Sequence, residues 1–121
     1  MPHVIIYGLP AELEGTSPLT VFKQRTVPAA LVSVDELAVS MHEVVVSTPL
    51  NMAGRAESTC PEAIIRLNAK DERTPAVRKA AARVVGLVLQ NFLLAQGVPV
   101  RSIGVVTQMV ATDEGSFIIT T

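Results

Sequence analysis

The chain opens Met1-Pro2-His3-Val4-Ile5-Ile6-Tyr7-Gly8. If Met1 is removed, Pro2 carries a free secondary amine on a rigid strand. Unprotonated, such an amine is a base or a nucleophile. Burial among apolar groups lowers its pKa, because desolvation disfavours the cation. A base whose pKa lies near the working pH can move a proton from carbon to oxygen, or to a second carbon, of a 2-oxo or enol acid. Proline is about 5% of residues in average proteins, so a proline here can also be chemically silent. The rest of the chain has to decide.

An acid substrate needs a cation. Arg66 is the one charge in the core of Ala63-Ile64-Ile65-Arg66-Leu67, and a guanidinium holds a carboxylate through two parallel N–H donors. The plainer alternative is a solvent-facing strand charge. Arg73, in the turn Lys70-Asp71-Glu72-Arg73, is a second candidate for the substrate carboxylate. A helix-entry arginine is more often simply solvated. Tyr7 can donate to an enolate oxygen, but alternation puts Tyr7 and His3 on the face opposite Pro2. His42, beside Glu43, reads as a structural histidine. Asp113 and Glu114 could activate water, although a solvated turn is the simpler reading. Two histidines and one cysteine without ligand spacing predict no metal site. The glycines make no phosphate-cradling pattern. No cofactor is expected.

These residues need elements to hold them. Val4 to Tyr7 has strong β propensity and Gly8 breaks the run. Pro2 suits the first position of a strand, where no ladder donor is required. Thr16 or Ser17 caps a helix with Pro18 at its first position. Leu19, Phe22, Val27, Leu31 and Val34 then predict a helix over about 17–33, which Pro28 must kink or divide. Val39 to Thr48 reads as a strand stopped by Pro49, and 51–61 as a loop. Glu62 to Asn68 is the next strand. A long helix follows, with Thr74 as N-cap, Pro75 at the first position and Gly97 as terminator. Its predicted apolar stripe is Val77, Ala81, Val84, Val88, Phe92 and Ala95. Arg101 to Val110 is a further strand, Thr112 to Gly115 a turn, and Ser116 to Thr120 a short last strand.

The order is strand, helix, strand, twice over. The fold class expected is α/β (α+β). Two right-handed βαβ units, in halves of about 1–50 and 61–121, form one four-stranded mixed sheet with both helices on one face. The whole of 1–121 is one domain. The other sheet face is bare and its strands are apolar on both sides, so other subunits are expected to cover it.

Composition narrows the partners. Hydrophobic residues make up 49% of the 121 and aromatics 3%, so the core must be aliphatic. A net charge of −1 argues against a nucleic-acid binder that relies on a basic surface. No apolar run reaches the ~18 residues of a membrane span, and the opening has no signal-peptide pattern. A single cysteine, Cys60, makes a reducing, cytoplasmic setting the default.

With these elements in place, the chain resembles the tautomerase superfamily. The resemblance rests on Met1-Pro2-His3 opening a strand, on the double βαβ plan and on the length. The opening looks like that of 5-carboxymethyl-2-hydroxymuconate isomerase. Glu62-Ala63-Ile64-Ile65-Arg66-Leu67, Thr74-Pro75 with its long helix, Gly97-Val98-Pro99-Val100-Arg101-Ser102-Ile103 and Gly115-Ser116-Phe117 resemble the macrophage migration inhibitory factor-like members. The resemblance spans the chain as a plan, and Pro2 is its one specific motif. It implies a homotrimer with active sites near subunit interfaces, an N-terminal proline as general base or acid, and an Arg or Lys for a substrate carboxylate. Arg66 and Arg73 fill that place loosely, since the turn before the long helix has no glycine.

The function expected is a cofactor-independent keto–enol tautomerase or isomerase acting on a small 2-oxo acid. A related decarboxylase or hydratase is the alternative, and needs an acidic residue close to Pro2. A non-catalytic oligomer that binds a small ligand or a partner is the reading from a different class.

Overall fold

The computed structural model describes residues 2–49 and 60–110. The elements are strand β1 (His3–Tyr7), helix α1 (Ser17–Val21), a π-helical turn (Phe22–Thr26), helix α2 (Val27–Val32), strands β2 (Val45–Ser47) and β3 (Glu62–Asn68), helix α3 (Pro75–Ala95) and strand β4 (Gly104–Val110). They form one four-stranded sheet in the order β2-β1-β3-β4. β1 runs parallel to β2, β3 runs parallel to β4, and the central pair β1 and β3 is antiparallel. This is the expected pair of βαβ units, joined through the first strand of each.

Alternation sends Val4 and Ile6 of β1, and Ala63, Ile65 and Leu67 of β3, to the same buried side. There they meet Leu19, Phe22, Val27 and Leu31 from the first helical arm and Ala81, Val85, Leu89 and Leu93 from α3. Both helical arms therefore cover one sheet face. The buried line of α3 has a spacing of four; it shares Ala81 with the predicted stripe and from Val85 onward lies one position round from it. Val77, Val84, Val88 and Phe92 flank it, and Ala95 is exposed.

The first arm shows how Pro28 is accommodated. Proline has no N–H, and its ring clashes with the carbonyl four residues earlier, here Gln24. The chain widens before the proline instead of breaking. The Val27 N–H bonds the Phe22 carbonyl in an i to i−5 step, and α2 resumes with Pro28 in its first turn. The widened turn presents Phe22 to Phe92 of α3. Their rings stack at 4.4 Å between centroids, 19° from parallel.

α3 is bounded as its sequence signals require. The Thr74 hydroxyl accepts from the Val77 N–H at 3.3 Å, Pro75 follows, and Gly97 takes a left-handed φ of 70° after the last turn.

Two strands are shorter than expected. Residues 39–44 do not extend the second strand. Met41–Glu43 forms a 3-10 turn entered from Ser40, whose N–H donates to Glu43 Oε1 at 3.1 Å. That local pairing outweighs the β propensity of the valines on either side. His42 consequently sits on a turn, not on a strand. The last described strand begins at Gly104 instead of Arg101. The expected 51–61 loop, the 112–115 turn and the 116–120 strand lie wholly or mostly outside the described residues.

The open sheet face is more mixed than the expected apolar surface. Register places His3 beside Arg66 and Arg66 beside Gln108 across β1, β3 and β4. Ile5, Ile64 and Val106 form the next row. Glu62 and Asn68 mark the ends of β3 on that face.

Candidate active site

Pro2 is buried immediately before β1, and its carbonyl accepts from the Val45 N–H at 3.0 Å. That bond extends the β1–β2 ladder by one step and fixes the proline against the entrance of β2. β1 is an interior strand, held on both sides. Pro2 is therefore set on a backbone with little freedom. It lines none of the four principal cavities of the described residues.

Arg66 lies at the same end of the sheet. Its residue pairs with His3, next in sequence to Pro2. The side chain is exposed on the open face, and its Nε donates to Gln108 Oε1 at 3.2 Å. This bond orients the guanidinium, and its two terminal nitrogens have no hydrogen-bond partner among the described residues. A carboxylate is the group such a fork fits best. His3 shares that face, with its Nε2 at 2.8 Å from Ser47 Oγ.

Arg73 is not the solvated arginine that its turn suggests. It is 5% exposed. Nη1 donates to the Asn68 carbonyl at 2.8 Å, and Nη2 donates to the Leu37 carbonyl at 3.2 Å. The side chain thus ties the end of β3 to the segment after α2. Its Nε is buried without a hydrogen-bond partner among the described residues. Ala38, next to the accepting Leu37 carbonyl, is left-handed at φ 54°, which costs an L-residue about 1–2 kcal/mol. Arg73, Ala38, Lys70 and Glu72 share a cavity of about 170 Å³. The two carbonyl bonds make Arg73 part of the frame, whatever else its Nε does. Arg73→Ala is expected to lower stability by about 1.5–3 kcal/mol, the range for hydrogen bonds from a charged donor. The check is a lower denaturant midpoint at unchanged slope.

Glu43 is the residue that sequence reasoning passed over. It precedes by two positions the Val45 that bonds Pro2, so it enters the sheet at the Pro2 end. The Ser40 hydroxyl and then the Ser40 backbone N–H donate to its carboxylate and hold its pKa below the usual 4.5. The sequence signal is the Ser40-Met41-His42-Glu43 capping pattern. Tyr7 is at the opposite end of β1, paired with Glu62 and 43% exposed, and does not join this group. Asp113 and Glu114 lie outside the described residues. The described residues contain no group of three or more His, Cys, Asp or Glu side chains placed to hold a metal, and no described helix is long and apolar enough to cross a membrane.

Solved structures share this architecture. The crystal structure of a 5-carboxymethyl-2-hydroxymuconate delta-isomerase superposes with a TM-score of 0.63 at 17% identity, covering 100% of this chain and 89% of that one. This is the tautomerase fold. A fused 4-OT asymmetric trimer gives a TM-score of 0.62 at 21% identity, over 97% of this chain and 91% of the other. A macrophage migration inhibitory factor of Toxoplasma gondii gives 0.52 at 18%, over 97% and 95%. No protein-family model matches the chain, and no curated protein matches it. At these identities the likeness to tautomerase-superfamily structures is one of fold.

Proposed function

We propose that the protein is a cofactor-independent keto–enol tautomerase of a small 2-oxo acid, with the Pro2 nitrogen as general base once Met1 is removed. The observation that carries this reading is the placement of a buried Pro2 and an exposed, oriented Arg66 at one end of the sheet. The isomerase among the structures of the same fold supports it.

The chemistry follows from those groups. The Pro2 lone pair takes a proton from C3 of the 2-oxo acid. The C3–H bonding electrons form a C2–C3 double bond, and the carbonyl electrons move to oxygen. The resulting pyrrolidinium returns the proton to that oxygen, giving the enol. Run backwards, the same steps convert enol to ketone. The Arg66 guanidinium holds the carboxylate and offsets the charge gathering on the adjoining enolate. Arg73 completes the proposed carboxylate-binding set. Its Nη groups are engaged and its Nε is buried, so it serves that set by holding the end of β3 in position and does not touch the carboxylate.

Arg66→Ala is expected to raise KM about tenfold or more for a 2-oxo acid, with the fold unchanged by circular dichroism. One charge-assisted pair of about 1.5–3 kcal/mol sets that scale. Unchanged kinetics would remove Arg66 from the site.

The assembly belongs to the same proposal. Arg66 is exposed on the open face, so a single chain leaves the site uncovered on that side. A homotrimer, as in the fused 4-OT trimers of the same fold, lets neighbouring copies cover the open face and complete the site. Light scattering should return about 38 kDa, three times the 12.8 kDa chain. A monomer mass at micromolar concentration would contradict this. The same proposal includes a cytoplasmic setting, which a single cysteine suits, and no nucleic-acid or membrane partner.

A second reading is favoured by Glu43. An ionised carboxylate at the Pro2 end can activate water, which would turn the same site to hydration or decarboxylation. Release of carbon dioxide or addition of water by the wild type, lost in Glu43→Gln, would select it.

A further inference from the structure

The surface of α3 away from the core carries a charge pattern that the proposed chemistry does not use. The helix has three cations, Arg78, Lys79 and Arg83, and no acidic residue over its 21 positions. Two of these cations stand near its N-terminus, where the helix dipole disfavours positive charge and where the first turn holds no acidic residue. Beside this stripe, between α3 and β4, run two cavities of about 660 and 460 Å³ that share Lys79, Ala82 and Val105. Together their walls hold Arg78, Lys79, Arg83 and Arg101, and no carboxylate among the described residues. A chain of net charge −1 therefore gathers four of its ten basic residues along one groove.

The groove also has an apolar section. Leu87 and Leu94 line it and are 46% and 63% exposed. Gly86 stands between them and Arg83, in the middle of the helix. Glycine is about 1 kcal/mol worse there than alanine. A Cβ at this position would reach within 3.4 Å of the Val105 Cγ2 atom, so the bare backbone leaves the groove open at its floor.

We propose that this groove docks an acidic peptide segment of a partner protein, with an apolar anchor set between acidic residues. From Arg78 to Leu94 the helix rises about 24 Å at ~1.5 Å per residue, which an extended peptide of about seven residues spans. Cations occur at both ends, with Arg101 beyond the apolar section. A single-headed anion would satisfy only one end, whereas a peptide places carboxylates at both. No aromatic side chain lines either cavity, so the stacking platform that holds single-stranded nucleic acid is missing. The surface is concave, which suits an entering chain better than the plane of a bilayer. The proposal stands apart from the chemistry at Pro2.

The test is fluorescence anisotropy with a fluorescein-labelled heptapeptide, Glu-Glu-Leu-Phe-Leu-Glu-Glu, titrated with the full chain. Saturable binding is expected, weakening as salt rises. Arg83→Glu should weaken it at least tenfold. Gly86→Ala should weaken it several-fold without lowering the unfolding midpoint, a result that mere loss of folding cannot mimic. The same peptide with Lys for Glu should not bind. The proposal is overturned by no saturation at millimolar concentration or by undiminished binding to Arg83→Glu. It is equally overturned by tighter association with phosphatidylserine vesicles than with the peptide. A change in assembled mass on Arg83→Glu would also sink it, since the groove would then be a contact between copies.

Discussion

Protein in which Pro2 is replaced by alanine should tautomerise a phenylenolpyruvate-like probe at least about 10²-fold more slowly than the wild type, the lower end of what general acid–base catalysis contributes. The expectation rests on the kind of nitrogen that each residue supplies. After removal of Met1, proline offers a secondary amine in a ring, at the head of an interior strand. Alanine offers a primary amine with a free rotor. It can still take a proton, so some rate should persist, and the size of the loss is the informative quantity. The loss should fall on kcat and kcat/KM together, because the proton transfer occurs in the transition state and the carboxylate contacts are untouched. A rate within a factor of two of the wild type would mean that the base is elsewhere.

The largest effect on stability is expected at Phe22. It is 1% exposed, stacks on Phe92 and sits where the π-helical turn carries the first arm onto α3. Phe22→Ala removes the stack and leaves a cavity between the two helical arms, a change that costs about 3–5 kcal/mol. Total stabilities are typically about 5–15 kcal/mol, so this one ring accounts for a large share of the margin. Urea titration is the check, with a lower midpoint at unchanged slope. The other residues lining this junction, among them Ser17, Val21, Thr26, Val88 and Asn91, are too small to fill the gap without backbone movement. A loss under about 1 kcal/mol would mean that the arms close on each other more freely than their packing implies.

Much of this architecture is legible in the sequence, for local reasons. The limits of α3 follow from Thr74-Pro75 and Gly97, whose preferences act within a turn of themselves. Alternation along β1 and β3 assigns Val4, Ile6, Ala63, Ile65 and Leu67 to one face and Arg66 to the other without reference to the rest of the chain. The sequence marks only a disturbance at Pro28; the π-helical turn depends on the Val27 N–H reaching the Phe22 carbonyl, which Pro28 alone does not dictate. Val39, Val44, Val45 and Val46 suit a strand, so the sequence predicts a second strand longer than the Val45–Ser47 that forms. Ser40 and Glu43 between them bond to each other instead.

The site is less legible than the fold. The position of Arg66 follows from strand periodicity. The burial of Arg73 does not, since its partners are carbonyls of Asn68 and Leu37, the latter 36 residues away. Only the closed tertiary structure brings them together. Glu43 was set beside His42 in a strand, and its place at the Pro2 end emerges only once the Val45 to Pro2 bond is known.

The central claim is that the Pro2 nitrogen is the base, and Met1 provides the most direct test. While Met1 is attached, that nitrogen is a tertiary amide with no lone pair available for a proton. A preparation whose intact mass shows Met1 retained should be assayed with the enol probe before and after digestion with methionine aminopeptidase. Turnover is expected to appear only after digestion, in proportion to the fraction that has lost one methionine by mass. Equal turnover before and after digestion would contradict the assignment of Pro2.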